Sequence, residues 1–173
     1  MIDFTIPEEA KAVRDKVRAF VQSECHPAEE TCTADNFDET MAGLRGKARA
    51  QGLWCPFIPV EHGGMGLRPL ANALVQMELG ESHLGALSLN TQGPDDATML
   101  TLLEHGTDFQ KETFLKPLLN GEKRICYSMT EKAAGADATG MQTTAVLEGD
   151  GWVLNGEKCF SSSASVADIA VVM

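Results

Sequence analysis

The sequence lacks any run of lysine and arginine. Its 14 basic residues stand against 25 acidic ones, a formal net charge of −11, and the isoelectric point is about 4.7. Nucleic-acid binding needs a basic surface that displaces counterions from phosphates. An anionic membrane surface also calls for positive charge. Neither is an expected partner. Paired cysteines are missing too: Cys25, Cys32, Cys55, Cys126 and Cys159 are odd in number and none sits in a CxxC motif. That argues against a disulfide framework or a structural zinc site and for reduced thiols in a cytosol-like compartment. His26, His62, His83 and His105 are scattered at spacings that suit no ligand set, so no metal is expected. The N-terminal stretch MIDFTIPEEAKAVRDK is acidic and amphipathic. It has neither the basic start and apolar core of a signal peptide nor the Arg-rich character of a transit peptide. No apolar run approaches the length of a membrane span. A cytoplasmic protein without membrane insertion is expected. No internal repeat or low-complexity linker interrupts the chain.

What is present is ordinary globular material. Hydrophobic residues make up 43% and charged residues 23% of 173 residues, too apolar for disorder and long enough for one domain plus part of another. The first two thirds read as helices. Thr5 and Glu8 have capping-box spacing with Pro7 between them. Ala10, Val13, Val17, Phe20 and Val21 recur at steps that make one apolar face, and Pro27 predicts a stop before it. A second helix carries Met41, Leu44 and Ala48 on one face and ends near Gly52. A third spans about 70–79 with Gly80 as its C-cap. A fourth opens at Pro94, carries Ala97, Leu100 and Leu103, and closes at Gly106. Thr107 and Gln110 form a capping-box pair at the start of a fifth, which Pro117 shortens.

The period changes near Ile125. Residues 125–129, 143–148, 152–158 and 167–173 read as strands, the middle two joined by the hairpin connection Gly149-Asp150-Gly151. Helices followed by strands give an α+β fold class. The expected organisation is an N-terminal helical bundle over residues 1–124 and a partial antiparallel β domain over 125–173. The apolar stretch at 169–173 has no polar tail, and four strands with one apolar face need a covering layer. The expectation is therefore that the natural reading frame continues past Met173.

Five segments carry a resemblance. Tyr127-Ser128-Met129-Thr130-Glu131-Lys132-Ala133-Ala134-Gly135-Ala136-Asp137 is similar to the first signature of the acyl-CoA dehydrogenases: an aromatic residue, two variable residues, Thr-Glu-Pro, then Gly-Ser-Asp. Gly151-Trp152-Val153-Leu154-Asn155-Gly156-Glu157-Lys158 resembles the strand that ends in Asn-Gly-x-Lys. Cys159-Phe160-Ser161-Ser162-Ser163-Ala164 follows where the family has an aromatic and a hydroxyl residue against its flavin. Ile58-Pro59-Val60-Glu61-His62-Gly63-Gly64-Met65-Gly66-Leu67 looks like the family's helical-domain loop. Pro117-Leu118-Leu119-Asn120-Gly121-Glu122 looks like the approach to the first strand. The matches keep family order across nearly the whole chain. Three positions depart from the pattern: Lys132 stands for the Pro, Ala136 for the Ser and Phe160 for the usual Trp.

The resemblance implies an FAD-dependent acyl-CoA dehydrogenase, in which a proton leaves the α carbon of an acyl-CoA thioester and a hydride passes from the β carbon to N5 of FAD. By the same resemblance Tyr127, Met129, Thr130, Gly135, Ala136, Phe160, Ser161 and Ser162 are the cofactor-binding residues. The amides of this signature and the Thr130 hydroxyl bond the pyrimidine edge, Phe160 packs on the ring, and Ser162 places a hydroxyl near N5. Gly135 and Ala136 lie where the pyrophosphate and the thioester approach, so Ala136 is also a substrate contact. An electron-transfer flavoprotein or similar acceptor is the implied partner, and a homo-oligomer the implied assembly. No acidic residue matches the family's catalytic base, so no catalytic residue is assigned here. These residues alone are expected to hold FAD weakly or not at all and to show no turnover. A non-catalytic remnant or assembly module, or an acyl-CoA oxidase or flavin monooxygenase on the same scaffold, are the alternatives. Plainer expectations stand beside these. Trp54 and Trp152 anchor cores, Cys126 is a small buried hydrophobe, Lys158 closes a hairpin or pairs locally, Ser163 is a loop residue, and the glycines at 63–66 form turns.

Overall fold

The computed structural model describes residues 5–173. The chain divides into two compact units between Leu115 and Lys116.

The first unit is helical. Helix α1 (Glu8–Phe20) buries Ala10, Val17 and Phe20 on one face and packs against α4 (Pro69–Leu79). Its start differs from the capping-box expectation. Pro7 is the N-cap, with ψ 144°. Helical geometry therefore begins only at Glu8, which becomes the first helical residue and cannot serve as the third. The Pro7 carbonyl takes the amides of Ala10 and Lys11 at 3.1 Å each.

The expected stop before Pro27 also fails, for a physical reason. The turn Val21–Cys25 is π-helical, with the His26 amide bonded to the Val21 carbonyl, and α2 (His26–Thr31) follows directly. In a regular α-helix Pro27 would drive its ring into the carbonyl four residues back and leave that carbonyl without a donor. One wide turn shifts the hydrogen-bond register and absorbs both problems. A second π segment, Lys111–Leu115, precedes Pro117 in the same way.

Helix α3 (Phe37–Ala50) buries Met41, Leu44 and Ala48, the face read from the sequence. The loop after it turns inward: Leu53, Trp54, Cys55 and Ile58 are all buried, and the Arg49 guanidinium sits 3.6 Å over the Trp54 ring. Helix α4 buries Val75 and Leu79 and ends at Gly80. The short α5 (Gly85–Ser88) and α6 (Asp95–His105) follow, and Met99 of α6 is fully buried. Thr107 and Gln110 form the predicted capping box at α7 (Asp108–Gln110): the Gln110 amide donates to Thr107 Oγ1 at 3.2 Å, and the Thr107 amide to Gln110 Oε1 at 2.9 Å.

The second unit holds the helical turn α8 (Lys116–Leu119), a 3-10 turn at Ala138–Gly140, and the strands β1 (Ile125–Ser128), β2 (Thr144–Glu148), β3 (Gly151–Asn155) and β4 (Ile169–Val172). Strands β2 and β3 form the expected antiparallel hairpin, with Glu148 paired to Gly151. Gly149 takes φ +61° at the first central position, as a two-residue type II′ turn requires. The other pair differs from the antiparallel expectation: β1 and β4 run parallel, Ile125 beside Ile169 and Ser128 beside Val172. The residues between them, 129–168, are long enough for a crossover, and strand composition carries no signal of direction. Trp152 corrects another expectation. It is 68% exposed, and every residue of the hairpin faces solvent, whereas Trp54 is a core anchor as read.

Candidate functional site

Strand β1 sets the frame of the site within the second unit. Ile125, Cys126 and Ser128 are buried, while Tyr127 is exposed. The ladder to β4 ends at Ser128, and the chain continues into Met129 and Thr130. Residues 159–161 return along this extension. The Cys159 amide donates to the Thr130 carbonyl at 2.9 Å, and the Cys159 thiol points at the same oxygen at 3.7 Å. Two residues further on, the hydroxyls of Ser161 and Ser128 share a hydrogen bond of 2.8 Å.

Between those two anchors sits Phe160. Its φ is +58°, a left-handed backbone that a bulky side chain rarely adopts, and the residue is 89% exposed. A strained, solvent-facing aromatic held between two hydrogen-bonded neighbours is the most unusual feature of the unit, and strain of this kind clusters at functional sites. Ser162 and Ser163 follow in an exposed turn. Ser163 has φ +65° and its carbonyl accepts from the Val166 amide.

Of the sequence-derived site residues, the fold brings Met129, Thr130, Phe160 and Ser161 into one strip, with Tyr127 at its strand end and Ser162 at its other margin. Gly135 and Ala136 sit apart, on an exposed loop after the Glu131–Ala134 bridge. Asp137 then caps the turn Ala138–Gly140. Hydrogen bonds from the Thr139 hydroxyl and amide hold its carboxyl below the usual range. No acceptor among the described residues takes the backbone N–H of Met129 or Thr130, or the Thr130 hydroxyl. Free donors beside an exposed aromatic face suit a flat heterocycle with acceptors along one edge, so the donor set fits an isoalloxazine ring.

A polar cluster lies directly behind the strip. Glu131 is 7% exposed. Its carboxylate accepts from Lys158 Nζ at 2.7 Å, from the Thr143 hydroxyl at 2.6 Å, and from the amides of Gln142 and Thr143 at 2.7 and 2.9 Å. Lys158 also donates to the Met129 carbonyl at 3.0 Å. The bond from Lys158, then those from Thr143 and Gln142, hold the Glu131 carboxyl down at about 2. Gly156 makes the cluster possible. A Cβ there would lie 2.8 Å from the Thr143 Cα and overlap its side chain. Lys158, expected to close a hairpin or pair locally, instead pairs with Glu131, 27 residues away, and the sequence assigned no role in the site to Thr143 or Gly156. The available signal was a glutamate and a lysine each embedded in a glycine-flanked motif. Among the described residues no cluster of metal-binding side chains occurs, and no helix is long and apolar enough to cross a membrane.

Comparison with known proteins bears on this arrangement. Residues 7–122 match the N-terminal domain of acyl-CoA dehydrogenase, and residues 126–173 match its middle domain. The short-chain-specific acyl-CoA dehydrogenase of Clostridium acetobutylicum is 35% identical over 172 residues, covering 99% of this chain and 44% of that protein. The crystal structure of glutaryl-CoA dehydrogenase from Mycobacterium smegmatis superposes with a TM-score of 0.73 at 29% identity, over 97% of this chain and 43% of that one. An acyl-CoA dehydrogenase from Bacillus anthracis, solved complexed with FAD, gives a TM-score of 0.71 at 28% identity, over 99% of this chain and 29% of that one. The chain thus spans less than half the length of each of these relatives.

Proposed function

The chain belongs to the acyl-CoA dehydrogenase family, and we propose that it contributes the flavin-facing side of an FAD-dependent acyl-CoA dehydrogenase. The observation that carries this reading is the strip in which Phe160, exposed and left-handed, lies between Cys159 bonded to Thr130 and Ser161 bonded to Ser128. Tyr127, Met129 and Thr130 hold the pyrimidine edge through backbone N–H groups and one hydroxyl. Phe160 covers the ring, and Ser161 and Ser162 line its margin. Gly135 and Ala136 face the pyrophosphate and the thioester. When bound, FAD supplies a hydride acceptor for the β carbon of an acyl-CoA. Donors along the pyrimidine edge stabilise the negative charge that builds on the reduced ring. An electron-transfer flavoprotein is the proposed acceptor, and a homo-oligomer the proposed assembly. In this reading residues 1–124 form the helical domain and 125–173 the flavin-facing part.

No residue of the chain is assigned as the catalytic base. Glu131, the carboxylate next to the strip, is excluded by its setting. A general base works best with a pKa near the operating pH, and the Glu131 carboxyl is held at about 2 by hydrogen bonds from Lys158, Thr143 and Gln142. Binding of FAD to the chain is expected to be weak, so amide chemical shifts are the suitable test. Added FAD should move the amides of Met129, Thr130, Phe160 and Ser161 in a saturable way, and Phe160→Ala should abolish the effect. Absent shifts, or shifts confined to the helical unit, would overturn the reading.

A further inference from the structure

The end of the β1–β4 ladder leaves a structural question. Ser128 is the last paired residue of β1, yet residues 129–130, just beyond it, present the free donors of the strip. Regular strand pairing does not hold them. Two consecutive residues of the returning segment do. Lys158 grips the Met129 carbonyl from its side chain, and Cys159 grips the Thr130 carbonyl from its backbone. Lys158 in turn is fixed by Glu131, and Glu131 by Gln142 and Thr143. The Lys158 and Glu131 side chains are 10% and 7% exposed, so solvent screens this pair little. Each also satisfies further partners, which is the condition under which a buried ion pair holds a geometry.

We infer that Lys158 and Glu131 are positioning residues, which lock the backbone of residues 129–130 against residues 159–161 and so set the spacing between the pyrimidine-edge donors and the Phe160 face. The functional consequence rests on the flavin reading above. The clasp acts through the backbone of Met129 and Thr130 and touches neither cofactor nor substrate itself. Its two carbonyl anchors turn both oxygens of residues 129–130 toward the returning segment, and leave the N–H groups of the same residues for a ligand. Removing the ammonium frees the Met129 carbonyl and leaves a buried carboxylate without its cation. The strip then loosens on the side where donors must be held in place. An arginine at 158 keeps the charge and a donor to the same oxygens.

The test uses the 173-residue chain with Lys158→Met, Lys158→Arg and Glu131→Gln. Two quantities are measured on each: hydrogen exchange at the Cys159 amide, which reports the bond to Thr130, and FAD affinity from amide shifts. Lys158→Met should speed Cys159 exchange and weaken FAD binding, each by about tenfold or more, the value of one charge-assisted hydrogen bond. Exchange in α1, α3 and α4 should not change. Lys158→Arg should recover most of both effects, which a mere packing role would not give. If Lys158→Met unfolds the second unit, Glu131→Gln, which keeps one acceptor oxygen for Thr143 and removes the charge that fixes Lys158, provides the same two readings. Unchanged Cys159 exchange in the folded variants overturns the clasp. Faster exchange with unchanged FAD affinity overturns the positioning role. A wild-type chain that shows no FAD shifts sinks the flavin reading alone, and Cys159 exchange still decides the clasp.

Discussion

The hydroxyls of Ser128 and Ser161 lie 2.8 Å apart, and this bond joins the one from the Cys159 amide to the Thr130 carbonyl in fixing the register of the returning segment against β1. Ser161 turns inward to a buried strand residue, and Ser162, its neighbour, is left exposed. Removing the inward hydroxyl should therefore be felt as stability. Ser161→Ala takes the side-chain partner from a buried Ser128 and should destabilise the second unit by about 1 kcal/mol. Ser162→Ala and Ser163→Ala should stay within about 0.5 kcal/mol, as exposed positions do. Urea unfolding followed at an amide of β1 measures all three, and equal losses at the three serines would show the register to be wrong.

The same register separates stability from chemistry. Under the proposed function the Ser162 hydroxyl serves the flavin ring, so in a longer chain that also supplies a catalytic base, Ser162→Ala should slow reduction of bound flavin by an acyl-CoA more than it weakens acyl-CoA binding. Loss of one such donor is worth a few kcal/mol at most, roughly 3. Ser163, left-handed and in the turn beyond, should matter little. Stopped-flow reduction of the two variants decides between them, and a larger effect at Ser163 would remove Phe160 from the flavin face as well.

Acid should weaken the clasp in a defined window. The Glu131 carboxyl titrates at about 2 in the folded chain, against an ordinary value of 4.5, chiefly through the bond from Lys158 and then through Thr143 and Gln142. A folded-state pKa below the unfolded one means that protonation opposes folding. Its stabilisation is complete above about 4.5 and is lost as pH falls toward 2. Asp137 in the same unit is also lowered, by Thr139, so the measurement belongs in an Asp137→Asn background. Stability of the second unit, read from exchange at the Thr143 amide, should fall between pH 4.5 and 2 and flatten in Glu131→Gln. A wild-type profile flat across that window would count against the geometry of the cluster.

Periodicity made the helical unit legible. Met41, Leu44 and Ala48 recur on one face and are buried together, and Thr107 and Gln110 sit at the spacing of the cap they form. What local pattern could not show was how two prolines are carried through helices. Pro27 has the same sequence signature whether it ends a helix or follows a π turn, and only the packing of Val21 and Cys25 into the core selects the second. The β unit was less legible because its contacts are long-range. Strand composition located β1 and β4 but not their parallel pairing. Trp152 reads as a core residue by type, although no element of the described chain covers it. The strip residues were named from motif order alone. The pairing that holds them, Glu131 with Lys158, joins positions 27 residues apart, and no local spacing rule reaches that far.

Gly156 should tolerate no side chain, and a nearby glycine gives the control. A Cβ at 156 would overlap Thr143, the residue that delivers a hydroxyl and an amide to Glu131, whereas one at Gly151 meets nothing within 4 Å. Gly156→Ala must push Thr143 away from the carboxylate and should destabilise the second unit by about 1–3 kcal/mol, the usual range for overpacking. Gly151→Ala should be near neutral. Thermal unfolding of both, with the Thr143 amide shift as a local reporter, separates steric overlap from a general loss of glycine. An unmoved Thr143 amide in Gly156→Ala would refute the close approach.

The five thiols provide a test that reads fold and function together. The nucleophile toward an alkylating reagent is the thiolate. Burial pushes the Cys55 thiol up to about 11, and burial likewise raises Cys25. Both should resist iodoacetamide at pH 8, as should the buried Cys126, whose sulfur the reagent cannot reach. Cys32 and Cys159 are half-buried and should label first, and all five should label in denaturant. The two reactive thiols lie in different units, which makes one the control for the other. Cys159 sits immediately before Phe160 and bonds Thr130, so a flavin resting on that strip should cover it and slow its labelling. Cys32, at the end of α2, should label at the same rate with and without FAD. Peptide mass spectrometry at several FAD concentrations gives both rates in one experiment. Parallel slowing of the two would mean a global tightening of the chain. Slowing of neither at saturating FAD would remove Cys159, and with it Phe160, from the face that the flavin is proposed to cover.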